Sequence, residues 1–172
     1  MSLASPSGRA TRFSGIQTAN EDSVALAEGY RVVGITAAAA TLFGDAVYVD
    51  SNGKAAKSTS NGNYLNFLGF AVGGANFNNN VLYGSENVGV EVAGADEFLL
   101  VALPGSIVYG IVGAATTTRG ARVSTDSSTA GRVRAQAAAS TAYTIGTALE
   151  TVGTAADPVL ILVQSPVSVT LS

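Results

Sequence analysis

The chain states its plan twice. Gly29-Tyr-Arg-Val32-Val-Gly34-Ile35 returns 76 positions later as Gly105-Ser-Ile-Val108-Tyr-Gly110-Ile111. The same spacing carries Ala38-Ala39 onto Ala114-Ala115, Thr41 onto Thr117, Gly44 onto Gly120, Val47 onto Val123 and Asp50-Ser51 onto Asp126-Ser127. Glycines that recur in register mark places where the backbone needs a turn or bulge. One β-rich unit is therefore built twice, and any fold for this sequence must accommodate two copies.

Further along, Leu68-Gly69-Phe70-Ala71 echoes Ile145-Gly146-Thr147-Ala148 at a spacing of 77. Gly94-Ala95-Asp96-Glu97, leading into Phe98 to Leu103, matches Ala155-Ala156-Asp157-Pro158 before Val159 to Val163 at a spacing of only 61. The first unit thus carries 16 more residues than the second, placed at about 73–87 around Asn76-Phe77-Asn78-Asn79-Asn80-Val81-Leu82-Tyr83.

Within each unit the signals are short strands between Gly and Asn turns. Strands are expected at Asp22 to Ala27, Gly29 to Ile35, Asp45 to Asp50 and Tyr64 to Val72. The second unit repeats them at Ser106 to Val112, Ala121 to Thr125, Arg132 to Ala135 and Ala142 to Glu150. In Asp45 to Asp50, Val47 and Val49 alternate with Ala46 and Tyr48, the pattern of a half-buried strand. Asn52-Gly53 suits a type I′ hairpin, and Asn61-Gly62 marks another turn. The Ala-rich Thr36 to Leu42 fits a short helical turn or a connector. The expected fold is all-β: a barrel- or sandwich-like single domain from two pseudo-repeated units, about 29–104 and 105–166, sharing one interior. Units of this size would be marginal alone with so few large aromatics. The domain spans 18–172 and follows an extended N-terminal arm, 1–17, which reads either as a flexible tail or as an arm that orders on a partner through Arg9, Arg12 and Phe13.

Composition narrows the chemistry. There is no Cys, His or Trp among the 172 residues. Disulfides, thiolate metal sites and His-activated nucleophiles are thereby excluded, together with the commonest transition-metal ligand. Charged residues make up 12% against about 25% for soluble domains. Such a surface is either covered by small polar residues or hidden in an assembly. A net charge of −3 leaves no basic footprint for nucleic acid. The apolar runs Phe98 to Leu103 and Pro158 to Val163 fall far short of the ~20 residues that span a membrane. The first residues lack a signal-peptide apolar region, so a soluble chain that bypasses general secretion is expected.

The remaining candidates are modest. Asp50-x-Asn52-Gly53 resembles the start of a calcium loop, but the glutamate that loop needs at its twelfth position is Asn61. Asp96-Glu97 is a carboxylate pair beside a strand start, and its repeat counterpart, Asp157-Pro158, does not keep it. Arg119, Arg122, Arg132 and Arg134 gather in the second unit as a solvated or partner-facing set. No catalytic, metal or cofactor residue is assigned. The contact candidates are Arg9, Arg12, Phe13, Phe77, Val81, Leu82 and Tyr83, the last four either interface anchors or groups tucked back on the core.

Gly44-Asp-Ala-Val-Tyr-Val-Asp-Ser-Asn-Gly-Lys54, Leu68-Gly-Phe-Ala-Val72, Val88-Gly-Val-Glu-Val92 before Phe98 to Gly105, Ile145-Gly-Thr-Ala-Leu-Glu150 and Pro158 to Gln164 form an ordered series. It resembles the small head decoration, or capsid cement, proteins of tailed bacteriophages, over Gly29 to Val163. The resemblance implies a non-enzymatic structural protein on the outside of an icosahedral head, bound to the major capsid protein. It further implies a homo-oligomer, trimer or dimer, located on the virion and in the host cytoplasm during assembly. No cofactor, nucleic acid or membrane is expected. The longer chain, with its arm and Asn-rich loop, departs from the family pattern. A carbohydrate-binding or adhesin-like β module is the alternative, and a carboxylate-based hydrolase a distant third.

Overall fold

Two five-strand arrays of identical connectivity account for the duplication. In a computed structural model, residues 31–59, 61–113, 117–137 and 141–170 are described. The strands are β1 Val32–Thr36, β2 Thr41–Leu42, β3 Ala46–Val49, β4 Ala55–Lys57, β5 Phe67–Gly74, β6 Asn80–Val81 and β7 Glu91–Ala93. They continue with β8 Phe98–Ala102, β9 Ile107–Ile111, β10 Arg122–Thr125, β11 Val133–Ala135, β12 Thr141–Ala148 and β13 Pro158–Thr170. The first sheet runs β1-β8-β5-β3-β4, with β6 also on β5; the second runs β9-β13-β12-β10-β11; β2 and β7 form a small third sheet. The helical content of the described residues is three 3-10 segments of three to six residues. None of their helices is long and apolar enough to cross a membrane. The expected arm, 1–17, and the strand expected at Asp22 to Ala27 lie outside the described residues.

The equivalence reaches individual hydrogen bonds. Gly44 N–H donates to Ala71 O and Ala71 N–H to Asp45 O; in the second unit Gly120 N–H donates to Ala148 O and Ala148 N–H to Ala121 O. Leu103 N–H donates to Arg31 O, as Val163 N–H does to Ser106 O. Ala37 N–H donates to Glu97 O, as Val112 N–H does to Asp157 O. Asp96 and Ala156, at φ 64° and 70°, occupy matching left-handed positions. These pairs correct the register read from the sequence. At Gly44 the spacing is 76, but Ala37 answers to Val112 and Glu97 to Asp157, spacings of 75 and 60. β1 and β8 therefore match β9 and β13 one residue away from the glycine alignment, and a one-residue slip exchanges the faces of a strand.

Both sheets curl strongly. β1 and β4 are the end strands of the first sheet, yet Ala37, just past β1, makes a parallel bridge to Ala55 of β4; Val112 bridges to Val133 in the same way. A single bridge is not a ladder, so neither sheet closes into a barrel and the arrangement is sandwich-like.

One continuous core fills the space. Val47, Phe70, Ala71, Leu99 and Val101 from the first unit and Val108, Val123, Ile145, Val159 and Ile161 from the second belong to a single buried cluster. Phe70 joins them. A Cβ added at Gly110 of β9 would lie 3.0 Å from its ring and 2.7 Å from Ile161 Cδ1, so the absence of a side chain there makes room for the ring. β3 is consequently not the half-buried strand that its alternation suggests. Ala46 and Val47 point to opposite faces and both are buried, because the second unit covers the outer face.

The connections settle one open reading and overturn another. Of the two readings of Thr36 to Leu42 the connector is the one observed, holding the Ala37 bridge and β2 without a helical turn. The β3–β4 turn is not type I′, since Asn52 does not have the positive φ that type needs, while Gly53 does at 75°. Instead Asp50 Oδ1 accepts the N–H groups of Asn52 at 2.8 Å and Lys54 at 2.9 Å, and Gly53 N–H donates to Asp50 O. A side-chain-capped turn replaces one fixed by two left-handed residues.

Candidate interaction surfaces

The surplus segment of the first unit, between β5 and β8, folds back on the body. Asn78 and Asn79 take left-handed φ values of 54° and 60°, which asparagine tolerates better than most residues. The reversal that they allow lays β6 against β5, with Gly73 opposite Val81. Leu82 N–H then donates to Val72 O, and Asn87 Nδ2 to Tyr83 O. Val81 is buried, and Phe77, Leu82 and Tyr83 are half-buried and packed against the core cluster. Burial also pushes the Tyr83 phenol above its ordinary pKa. Of the two readings open for these four side chains, their placement is the inward one. The segment presents outward Asn76, Asn78, Asn79, Ser85, Glu86 and Val90. Arg9, Arg12 and Phe13 lie outside the described residues.

The carboxylates stand apart in structural tasks. Asp50 caps its turn, and those backbone donors hold its carboxyl below the usual range. Asp96 pairs with Lys54 at 2.5 Å, and Glu97 Oε2 accepts Gly94 N–H at 2.7 Å. Among the described residues no three acidic side chains gather around one point.

Two buried aspartates escaped the sequence reading. Asp45 is 1% exposed; its Oδ2 accepts Leu42 N–H at 2.8 Å and lies 3.3 Å from Lys57 Nζ. Burial raises its pKa, partly offset by the Leu42 amide and by Lys57. The second unit meets the first here: Ala46 N–H donates to Gly131 O, and Gly131 N–H to Ser58 O. Asp126, the counterpart of Asp50, uses Oδ1 to accept the N–H and O–H of Ser128, while its Oδ2 is buried without a hydrogen-bond partner. The one available signal was at Asp45: its repeat partner is Ala121, so the first unit has a carboxylate where the second needs none.

Apart from Val90 on the surplus segment, the large exposed apolar groups among the described residues lie where no loop motif pointed. Leu65, Phe98, Ile107 and Val167 are all exposed. Phe98 stretches across Gly34 of β1, where a Cβ would meet its ring at 2.5 Å. Beside Leu65, Tyr64 stacks on Tyr143 with ring centroids 3.2 Å apart and planes 7° from parallel. Arg122 and Arg134 share one face of the β10–β11 hairpin, because Arg122 is followed on that face by Ser124, which pairs with Arg134. None of Arg119, Arg122, Arg132 and Arg134 forms an ion pair among the described residues. Comparison with protein-family models and with curated proteins finds no match.

Proposed function

We propose that this chain is a non-enzymatic capsid decoration protein that binds the outside of an icosahedral phage head and bridges major capsid protein subunits. The observation that carries the reading is where the motif residues fall. Gly44 to Lys54 make β3 and its Asp50-capped turn, Leu68 to Val72 lie within β5, Ile145 to Ala148 within β12, and Pro158 to Gln164 within β13. They build a duplicated scaffold and stand far apart in chemical terms, each engaged in a turn, a ladder or the core. That suits a protein whose work is to occupy a surface.

The mechanism is interfacial. Sites repeated around a shell add buried area across subunit joints, and copies engaged together act through avidity more than through any one strong contact. The low charge fits a particle component that is covered by neighbours. Co-sedimentation with expanded shells of the cognate virus tests the reading. Saturable binding to expanded heads, reduced on removing residues 1–17, is the expected result. Protein that remains in the supernatant over a range of shell concentrations would end it. The alternative, a carbohydrate-binding module, would draw an aromatic platform from its tyrosines and phenylalanines, among them the stacked Tyr64–Tyr143 pair and exposed Phe98; silence on a glycan array removes it.

A further inference from the structure

The two units are equivalent in fold but unequal in what covers them. Across the first sheet, Val32, Ala102, Phe70 and Ala46 form one row of paired residues; across the second, Ile107, Leu162, Thr147 and Arg122 form the matching row. Paired residues project on one face. In the first unit Ala46, Phe70 and Ala102 are fully buried, and Leu100 next to them is 4% exposed. In the second, Ile107 and Arg122 are exposed, and Leu162, Thr147 and Leu160 are only half-buried. Leu160 and Leu162 are not packed against the core cluster.

The first unit's outer face is covered by the second unit: Gly110 and Ile161 lie against Phe70, and the turn at Gly131 sits on Asp45 and Ser58. The covering elements also have counterparts. The end of β9 answers to β1, and the turn at Gly131 answers to the Asp50–Lys54 turn. In the first unit, among the described residues, β1 is an end strand paired only with β8, and Ser51, Asn52 and Gly53 of the turn are exposed. A Cβ at Gly131 would strike Asp45 Oδ1 at 2.4 Å, whereas one at Gly53 would meet nothing within 4 Å. Each chain therefore uses one half of an interface in each unit and, among the described residues, leaves the complementary halves uncovered.

We infer that the open outer face of the second sheet docks a second copy of this chain, through that copy's β1 edge and Asp50–Lys54 turn. The contact repeats between chains the packing that joins the two units within one. Charge supports this pairing. Over the described residues the first unit has Arg31, Lys54 and Lys57 against Asp45, Asp50, Glu86, Glu91, Asp96 and Glu97; the second has Arg119, Arg122, Arg132 and Arg134 against Asp126, Glu150 and Asp157. Arg122, where the first unit has buried Ala46, would face the Asp50, Asp96 and Glu97 end of its neighbour. The association is head-to-tail, so it propagates until a ring closes. It holds whether or not a shell is the partner.

The test is complementation between two surface variants of the full chain, Ile107→Asp on the donor face and Asn52→Arg on the acceptor turn, both at exposed positions. Sedimentation equilibrium should give the wild type a mass several times 17.2 kDa. Each variant alone should lose assembly and sediment as a monomer, with an unchanged circular dichroism spectrum. An equimolar mixture should recover a 1:1 pair, because each variant keeps the face the other lacks. A monomeric wild type, a variant that retains the wild-type mass, or a mixture that stays monomeric would each overturn the inference. Arg122→Glu, which removes no buried side chain, provides a second donor-face variant with the same expected loss.

Discussion

Asp45 and Asp50 sit five residues apart and respond to pH in opposite senses. Asp50 has a lowered pKa from its backbone donors, so its contribution is present above the ordinary carboxylate value of 3.8 and lost as pH falls through its folded value. Asp45 has a raised pKa, chiefly from burial, so its contribution is present below 3.8 and lost as pH rises through its folded value. Asp50→Asn should therefore flatten the acid limb of the stability curve, and Asp45→Asn the limb above it, both measured by thermal melts between acid and neutral pH. A second expectation concerns Lys57. At neutral pH Lys57→Met strands a buried carboxylate and should cost about 3 kcal/mol in urea titrations, whereas Asp45→Asn leaves an ammonium that can reach solvent and should cost less. Equal losses would show that the pair does not bear on stability through Asp45 burial. In the sequence Asp45 is one acid in a strand start, singled out only by having Ala121 as its repeat partner. Its burial depends on Gly131, far away in the chain.

Turns and strands were more legible than registers. The pairs Gly44 with Gly120 and Asp50 with Asp126 identify matching turns because each is a local solution to a local backbone demand. The one-residue shifts at β1 and β8 are invisible in sequence, since loops absorb them and only the hydrogen-bond ladder fixes which residues face inward. The surplus segment shows a related limit: Phe77, Val81, Leu82 and Tyr83 were recognisable as a group, but the direction they point is set by the Asn78-Asn79 reversal. The same logic makes the two hairpin turns unequal. Gly53→Ala and Gly131→Ala both place a side chain at positive φ, a strain of about 1–2 kcal/mol. Only Gly131→Ala also drives a methyl into the Asp45 carboxylate. Its denaturation midpoint should fall clearly further than that of Gly53→Ala; matched losses would mean that the Gly131 turn is not seated on the first unit.

At the scale of the molecule, duplication announces two units but not whether they unfold together. The buried faces decide it. Phe70 is a first-unit residue with no exposed surface, and its ring occupies the space above Gly110 in the second unit. Its counterpart there, Thr147, is half-buried, so the sequence does carry a trace of which unit is covered, in the contrast of Phe70 with Thr147 and Ala46 with Arg122. A residue shared by two sheets cannot be released by one without exposing apolar surface on the other, which ties their opening into one transition. Phe70→Ala should cost about 3–5 kcal/mol through lost burial and the cavity left behind. It should lower protection from hydrogen exchange in β10, β12 and β13 as much as in β3, β5 and β8. If the second-sheet amides keep wild-type protection while the first sheet opens, the units fold separately, and the shared interior has to be replaced by two cores in contact.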